Sequence, residues 1–138
     1  MAQVDRLASV VMFVQQLDRS VSFYRAVLGL EVADSSPTAA LLTGRDESNL
    51  ILRSMGSQAV HALGAVGVQY VSWIADSKHD LEQCEQALKK LSAHRETRTM
   101  GEAVAVEGRD PDDIVVMVIY PGPDGAPLRR LPVRIYGW

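Results

Sequence analysis

Two stretches sixty residues apart share one pattern of apolar and polar positions, each a short apolar run leading into a helix start: Leu7 to Asp18 (LASVVMFVQQLD) and Gly67 to Asp76 (GVQYVSWIAD). The first predicts a strand over Ser9–Val14 that ends at Gln15-Gln16-Leu17, with Asp18 as the N-cap of the helix that follows. In that helix Val21, Tyr24, Val27 and Leu28 recur at helical spacing and Phe23 widens the stripe. Gly29 then supplies the left-handed stop. The turn-rich breaks SSP and GRDES divide the next segment into three strands, over Glu31–Asp34, Thr38–Thr43 and Asn49–Ser54.

After a loop of Gly, Ser and Ala between about Met55 and Val66, the plan starts again. Val68–Ala75 reads as a strand, and Ser77 with Asp80 three residues on has the form of a capping box. Leu81, Cys84, Leu88 and Leu91 mark the apolar stripe of a second helix, with Glu82, Glu85, Lys89 and Lys90 in the other positions. Strands are predicted at Arg95–Thr99, Ala103–Glu107 and Asp113–Tyr120. The expectation is an α+β fold of two tandem βαβββ modules in a single domain over 1–138. The first module spans 7–55, a linker 56–66, the second module 67–120, and a Pro- and Arg-rich tail 121–138.

Composition narrows the function classes. With 138 residues, 47% of them hydrophobic, the chain can bury one core of useful size or two small modules sharing one. The 14 basic and 17 acidic residues are spread without long runs and leave a net charge of −3, so the basic footprint of a nucleic-acid binder is missing. No run approaches the roughly 20 apolar residues of a membrane span. The N-terminal apolar stretch has close charged flanks and no small-residue cleavage site, which argues against a signal peptide. Cys84, the single cysteine, has no intramolecular disulfide partner. A cytoplasmic protein is expected.

The segment VVMFVQQLDRSVSFYRAVLGLEV resembles the opening module of the vicinal oxygen chelate superfamily, which includes glyoxalase I, the bleomycin-resistance proteins and the extradiol ring-cleaving dioxygenases; DRSVSFYRAVLGL is the specific part. Arg109-Asp110-Pro111-Asp112-Asp113, before the last apolar strand, is similar to the DPDG turn of these proteins. The resemblance covers about residues 7 to 120. It implies an open, cup-shaped mixed sheet, and in metal-using members four inward residues that bind a divalent cation acting as a Lewis acid. Carried over, those positions fall on Ser9, Ile51, Gln69 and Met117. Only Gln69 is a ligand of the family's type. Isoleucine cannot coordinate, a thioether suits soft copper, and serine is a poor ligand for zinc, nickel, iron or manganese.

Other residues offer weaker substitutes. His61, His79 and His94, with Glu102 or Glu107, would be the donors of a divalent metal at a shifted site. His61 sits five residues before Val66, but the strand register starting there breaks at Gly67. His79 and His94 flank the second helix and are expected to be solvated. Cys84 falls on the apolar stripe with no adjacent His, which fits an inert buried thiol. Asp110, Asp112 and Asp113 lack the spacing of a calcium loop and are better explained as a turn. The tail residues Arg129, Arg130 and Arg134, interleaved with aromatics, are expected to pack on the sheet or on a second subunit rather than on nucleic acid.

Side chains alternate along a strand, so residues two apart share a face. That rule places Val11 and Phe13 beside Ser9, Arg53 beside Ile51, Val71 and Trp73 beside Gln69, and Val115 and Ile119 beside Met117. Each apolar member has core packing as its competing role, and Trp73 fits a ligand wall or a subunit contact. Arg53 needs a partner, either an anionic group of a ligand or an internal acid such as Glu107. The combined expectation is a homodimer that binds a small aromatic or polycyclic molecule without metal or other cofactor. Trp73 and Phe13 would stack on the ligand, Met117 and Ile51 adapt to it, and Arg53, Gln69 and Ser9 hold its polar end; no catalytic residue is assigned. The alternative is a metal-dependent glyoxalase-, isomerase- or dioxygenase-like enzyme.

Overall fold

In the computed structural model, residues 2–4, 6–60 and 64–123 are described. The chain divides into two compact units, Met1–Val60 and His61–Trp138, each with the same succession of elements. His61 and the tail arginines lie outside the described residues.

In the first unit, β1 (Ser9–Val14) leads into α1 (Leu17–Leu28), then β2 (Glu31–Ser35), β3 (Ala39–Thr43) and β4 (Asn49–Ser54). The sheet order is β1-β4-β3-β2, with β1 parallel to β4 and the other pairs antiparallel. The helix packs its buried Ser20, Phe23, Tyr24 and Val27 toward β3 and β4, whose Ala40, Leu42, Leu50 and Leu52 are buried with Val14. Phe23 and Tyr24 meet edge to face, centroids 5.1 Å apart, and the Tyr24 hydroxyl donates to Met12 Sδ at 3.6 Å. Gly29, in the left-handed region at φ 67°, ends the helix as expected, its N–H donating to the Arg25 carbonyl. The start differs from expectation. Gln16, in extended backbone and with no side-chain capping bond, is the N-cap, and Asp18 lies inside the first turn, where the exposed N–H groups favour a negative charge.

The second unit repeats this order. Its elements are β5 (Tyr70–Ile74), α2 (Lys78–Lys90), β6 (His94–Met100), β7 (Ala103–Arg109) and β8 (Val115–Tyr120), with sheet order β5-β8-β7-β6 and β5 parallel to β8. Ser77 caps α2 as its sequence predicts, its Oγ accepting the Asp80 N–H at 3.0 Å. Strand β5 is shorter than expected, because Val68 and Gln69 stay outside it. The repeat extends to details. β2 and β6 each carry a bulge near their start, between Val32 and Asp34 and between His94 and Glu96. The turns before β4 and β8 also match: Glu47 and Asp113 both sit at φ 66°, with Glu47 N–H donating to Gly44 O and Asp113 N–H to Asp110 O. The fold is therefore α+β, two βαβββ modules. Among the described residues no helix is long and apolar enough to cross a membrane.

Candidate functional site

The paired registers decide which side chains share a face. In the first unit the face away from α1 is built in rows across β1, β4, β3 and β2. One row is Ser9, Asn49, Thr43 and Glu31; the next is Val11, Ile51, Leu41 and Asp34; the third is Phe13, Arg53 and Ala39. Polar, apolar and aromatic-plus-cation rows thus succeed one another. Val11 and Phe13 are 56% and 60% exposed, which is high for large apolar side chains in mid-strand. Ser9, Phe13, Ile51 and Arg53 are therefore brought to one face, as the alternation predicts.

Backbone and side-chain bonds fix both ends of this β1–β4 pair. At the Phe13–Arg53 end, Met55 N–H donates to Val14 O (2.8 Å), the Ser54 hydroxyl to Gln15 O (3.1 Å), and Gln15 Nε2 to Ala59 O (2.5 Å). At the other end Asn49 Nδ2 donates to Ala8 O at 3.4 Å. The Arg53 side chain is exposed and makes neither an ion pair nor a hydrogen bond among the described residues. Glu107, the internal acid considered for it, has Arg98 Nη2 at 3.5 Å within the second unit, and Arg98 Nη1 lies 3.2 Å from Glu96.

The second unit places Trp73 and Gln69 differently from the expected face. Met117 pairs with Ser72 and Glu107, whereas Trp73 pairs with Val118, which pairs with Val106. Two residues along β7 from Val106 is Gly108, and a Cβ there would meet Leu88 of α2, so this is the helix-facing side. Trp73 and Val71 thus lie on the α2 side of the sheet and Met117 on the other. Gln69 precedes the strand, and its Nε2 folds back onto Ala65 O (2.8 Å) and Gly67 O (3.0 Å). The residue at the place expected for Gln69 is Tyr70, which packs on the cluster of Ala103, Ala105, Met117 and Ile119. Met117 is fully buried in that cluster and acts as core.

A countable signal for Tyr70 exists. Ser9 stands seven residues before the cap Gln16, and Tyr70 stands seven before the cap Ser77. Counting instead from Val14 and Ile74 slips the second strand by one, because the buried counterpart of Val14 is Ala75. A slip of one residue moves every side chain to the opposite face.

The four corresponding positions hold Ser9, Ile51, Tyr70 and Met117, which is not a set that binds zinc, nickel, iron or manganese. Among the described residues no group of three or more His, Cys, Asp and Glu is placed to hold a metal ion. His79 is exposed on α2. His94 opens β6, where its Nε2 lies 2.8 Å from Thr97 Oγ1, a structural bond rather than the free solvation expected. Glu102 is exposed in the β6–β7 turn. Asp110 Oδ1 accepts the Asp112 and Ile114 N–H groups at 2.8 and 2.9 Å, confirming a turn. Cys84 is half-buried on α2, and burial, then the nearby Asp80 charge, pushes its thiol pKa up, away from reactivity.

Comparison with known proteins agrees with this architecture. No curated protein matches the chain by sequence. Among solved structures, a glyoxylase/bleomycin resistance protein/dioxygenase domain from Frankia sp. EAN1pec aligns with TM-score 0.75 at 20% identity, over 86% of this chain and 99% of that one. Lactoylglutathione lyase from Agrobacterium tumefaciens aligns with TM-score 0.67 at 20% identity, over 86% and 96%. A genomically encoded fosfomycin resistance protein from Listeria monocytogenes aligns with TM-score 0.68 at 12% identity, over 88% and 98%. At these identities the likeness is one of fold. A family model matches residues 6–118, and the chain belongs to the Glyoxalase/Bleomycin resistance protein/Dioxygenase superfamily.

Proposed function

We propose that this protein binds a small aromatic or polycyclic organic molecule without a metal, on the helix-free face of its first sheet. The observation that carries this is the exposed Phe13 and Val11 around Ile51, an apolar patch bordered by Ser9, Asn49 and Arg53 on strands pinned at both ends. A bound ring that covers Phe13 recovers about 1.5–3 kcal/mol of burial free energy, and preset strands lower the ordering cost. Ser9 and Asn49 supply hydrogen bonds at one end of the patch and Arg53 a charge at the other. Trp73, Gln69 and Met117 belong to the second unit, so the proposal is carried by Ser9, Phe13, Ile51 and Arg53 of the first sheet.

Titration calorimetry of the full chain against a panel of aromatic metabolites and antibiotics tests the proposal. The expected result is saturable binding to at least one fused-ring compound, unchanged by EDTA and weakened tenfold or more by Phe13→Asp. Binding that disappears with the chelator, or that ignores Phe13→Asp, overturns it. A second reading, a metal-dependent enzyme of the lyase type, draws support from the Agrobacterium neighbour named lactoylglutathione lyase. Stoichiometric divalent metal in protein purified without chelators would put that reading first. We propose a homodimer as the working state, to be checked by sedimentation.

A further inference from the structure

We infer that the ligand of the first unit's helix-free face is an aromatic compound bearing an oxyanion, its ring over Phe13, Val11 and Ile51 and its anionic group on Arg53. This deepens the binding function proposed above and rests on it. Phe13 and Arg53 are register partners in adjacent strands, so their side chains rise from the same face about 5 Å apart. A ring on Phe13 therefore brings a directly attached acid group within reach of the guanidinium. The Arg53 guanidinium makes no ion pair or hydrogen bond among the described residues, leaving its planar fork of donors available to an incoming oxyanion.

Charge placement on the face orients such a ligand. The carboxylates on this side, Glu31 and Asp34, belong to β2, two strands from β4 and about 10 Å across the sheet. Beside Arg53 on β3 stands Ala39, not an acid. The Phe13–Arg53 end is thus the positive end of the face, and an acid bound there avoids the β2 edge. The second repeat lacks this feature. Its residue equivalent to Arg53 is Ile119, fully buried, and Arg98 on that sheet is engaged by Glu96 and Glu107. Only one of the two modules therefore presents an open aromatic–guanidinium pair among the described residues.

Calorimetric titration of the full chain, in low-salt buffer free of phosphate, with 2-naphthoate and its neutral analogue 2-naphthalenemethanol tests the inference. The expected result is that naphthoate binds tenfold or more tighter, the range of a charge-assisted bond. Arg53→Gln brings the two affinities within about twofold of each other, Arg53→Lys restores part of the preference, and added salt weakens the acid more than the alcohol. Equal affinities for the two compounds, both lowered by Phe13→Ala, overturn the oxyanion inference and leave the binding function standing. No binding of either compound, nor of any member of the aromatic panel, overturns both. A loss of self-association in Phe13→Ala, measured by sedimentation with no ligand present, would make this face a subunit contact and overturn the inference as well.

Discussion

Proton counting explains a side-chain chain that spans two elements of the second unit. Thr97 has one hydroxyl proton and gives it to Glu85 Oε2 at 2.5 Å, so its oxygen accepts from His94 Nε2 at 2.8 Å, which fixes the imidazole proton on Nε2. The Thr97 bond foremost, and Lys89 at 3.3 Å, hold the Glu85 carboxyl below the usual carboxylate range. A carboxyl whose folded pKa is depressed contributes stability above its unfolded pKa, near 4.3, and loses it as pH falls through the folded value. Thr97→Val is therefore expected to cost about 1 kcal/mol at pH 7, with the gap to the parent narrowing as pH falls from about 5 to 3, measured by urea unfolding at each pH. A gap that is constant with pH would refute the linkage. None of this was visible in the sequence, since Glu85 and Thr97 belong to different elements and only packing brings them together. Phe13, Ile51 and Arg53 were legible because alternation alone places them.

At the element scale, β7 and α2 approach closely at Gly108. A Cβ built on Gly108 would lie 2.7 Å from Leu88 Cδ2 and 2.9 Å from the Ala93 carbonyl oxygen. The leucine tip can move, but the backbone oxygen cannot without displacing the helix end, where Ala93 N–H donates to Leu88 O and Arg109 N–H to Ala93 O. Gly108→Ala should therefore destabilise the protein by about 1–3 kcal/mol, an overpacking cost seen as a lower denaturant midpoint with an unchanged slope. An unaffected midpoint would show that the helix end yields freely. Strand and helix spans were largely legible, because periods of two and 3.6 and turn residues set them locally. The cap of α1 was not: Gln16 caps with its backbone alone, while Asp18 has the residue type but not the place.

For the whole molecule, the family and the donor set point in different directions. Membership implies a scaffold that in many forms holds a metal, while Ser9, Ile51, Tyr70 and Met117 stand at the corresponding positions here. The expected outcome is less than 0.1 equivalent of divalent metal per chain, on the order of background for a site lacking imidazole, thiolate and carboxylate donors, with a melting temperature that EDTA leaves unmoved. One equivalent of tightly held nickel, zinc, iron or manganese, with a melting temperature that falls on chelation, would contradict it.

Hydrophobic period, turn chemistry and the duplicated pattern by themselves determined that this chain forms two βαβββ modules, and where each strand lies to within about two residues. The family resemblance was legible too, because it rests on local signals: the DRSVSFYRAVLGL helix and the acidic turn before the last strand. Which face each side chain takes was secure for β1 and β4 and wrong for β5, and there the tertiary structure decided. Strand β5 has apolar residues at both parities, Val71 and Trp73 on one side and Tyr70 and Ile74 on the other, so its pattern does not choose a face. Pairing with β8 and the packing of α2 choose it, sending Trp73 toward the helix and setting Tyr70 against Met117.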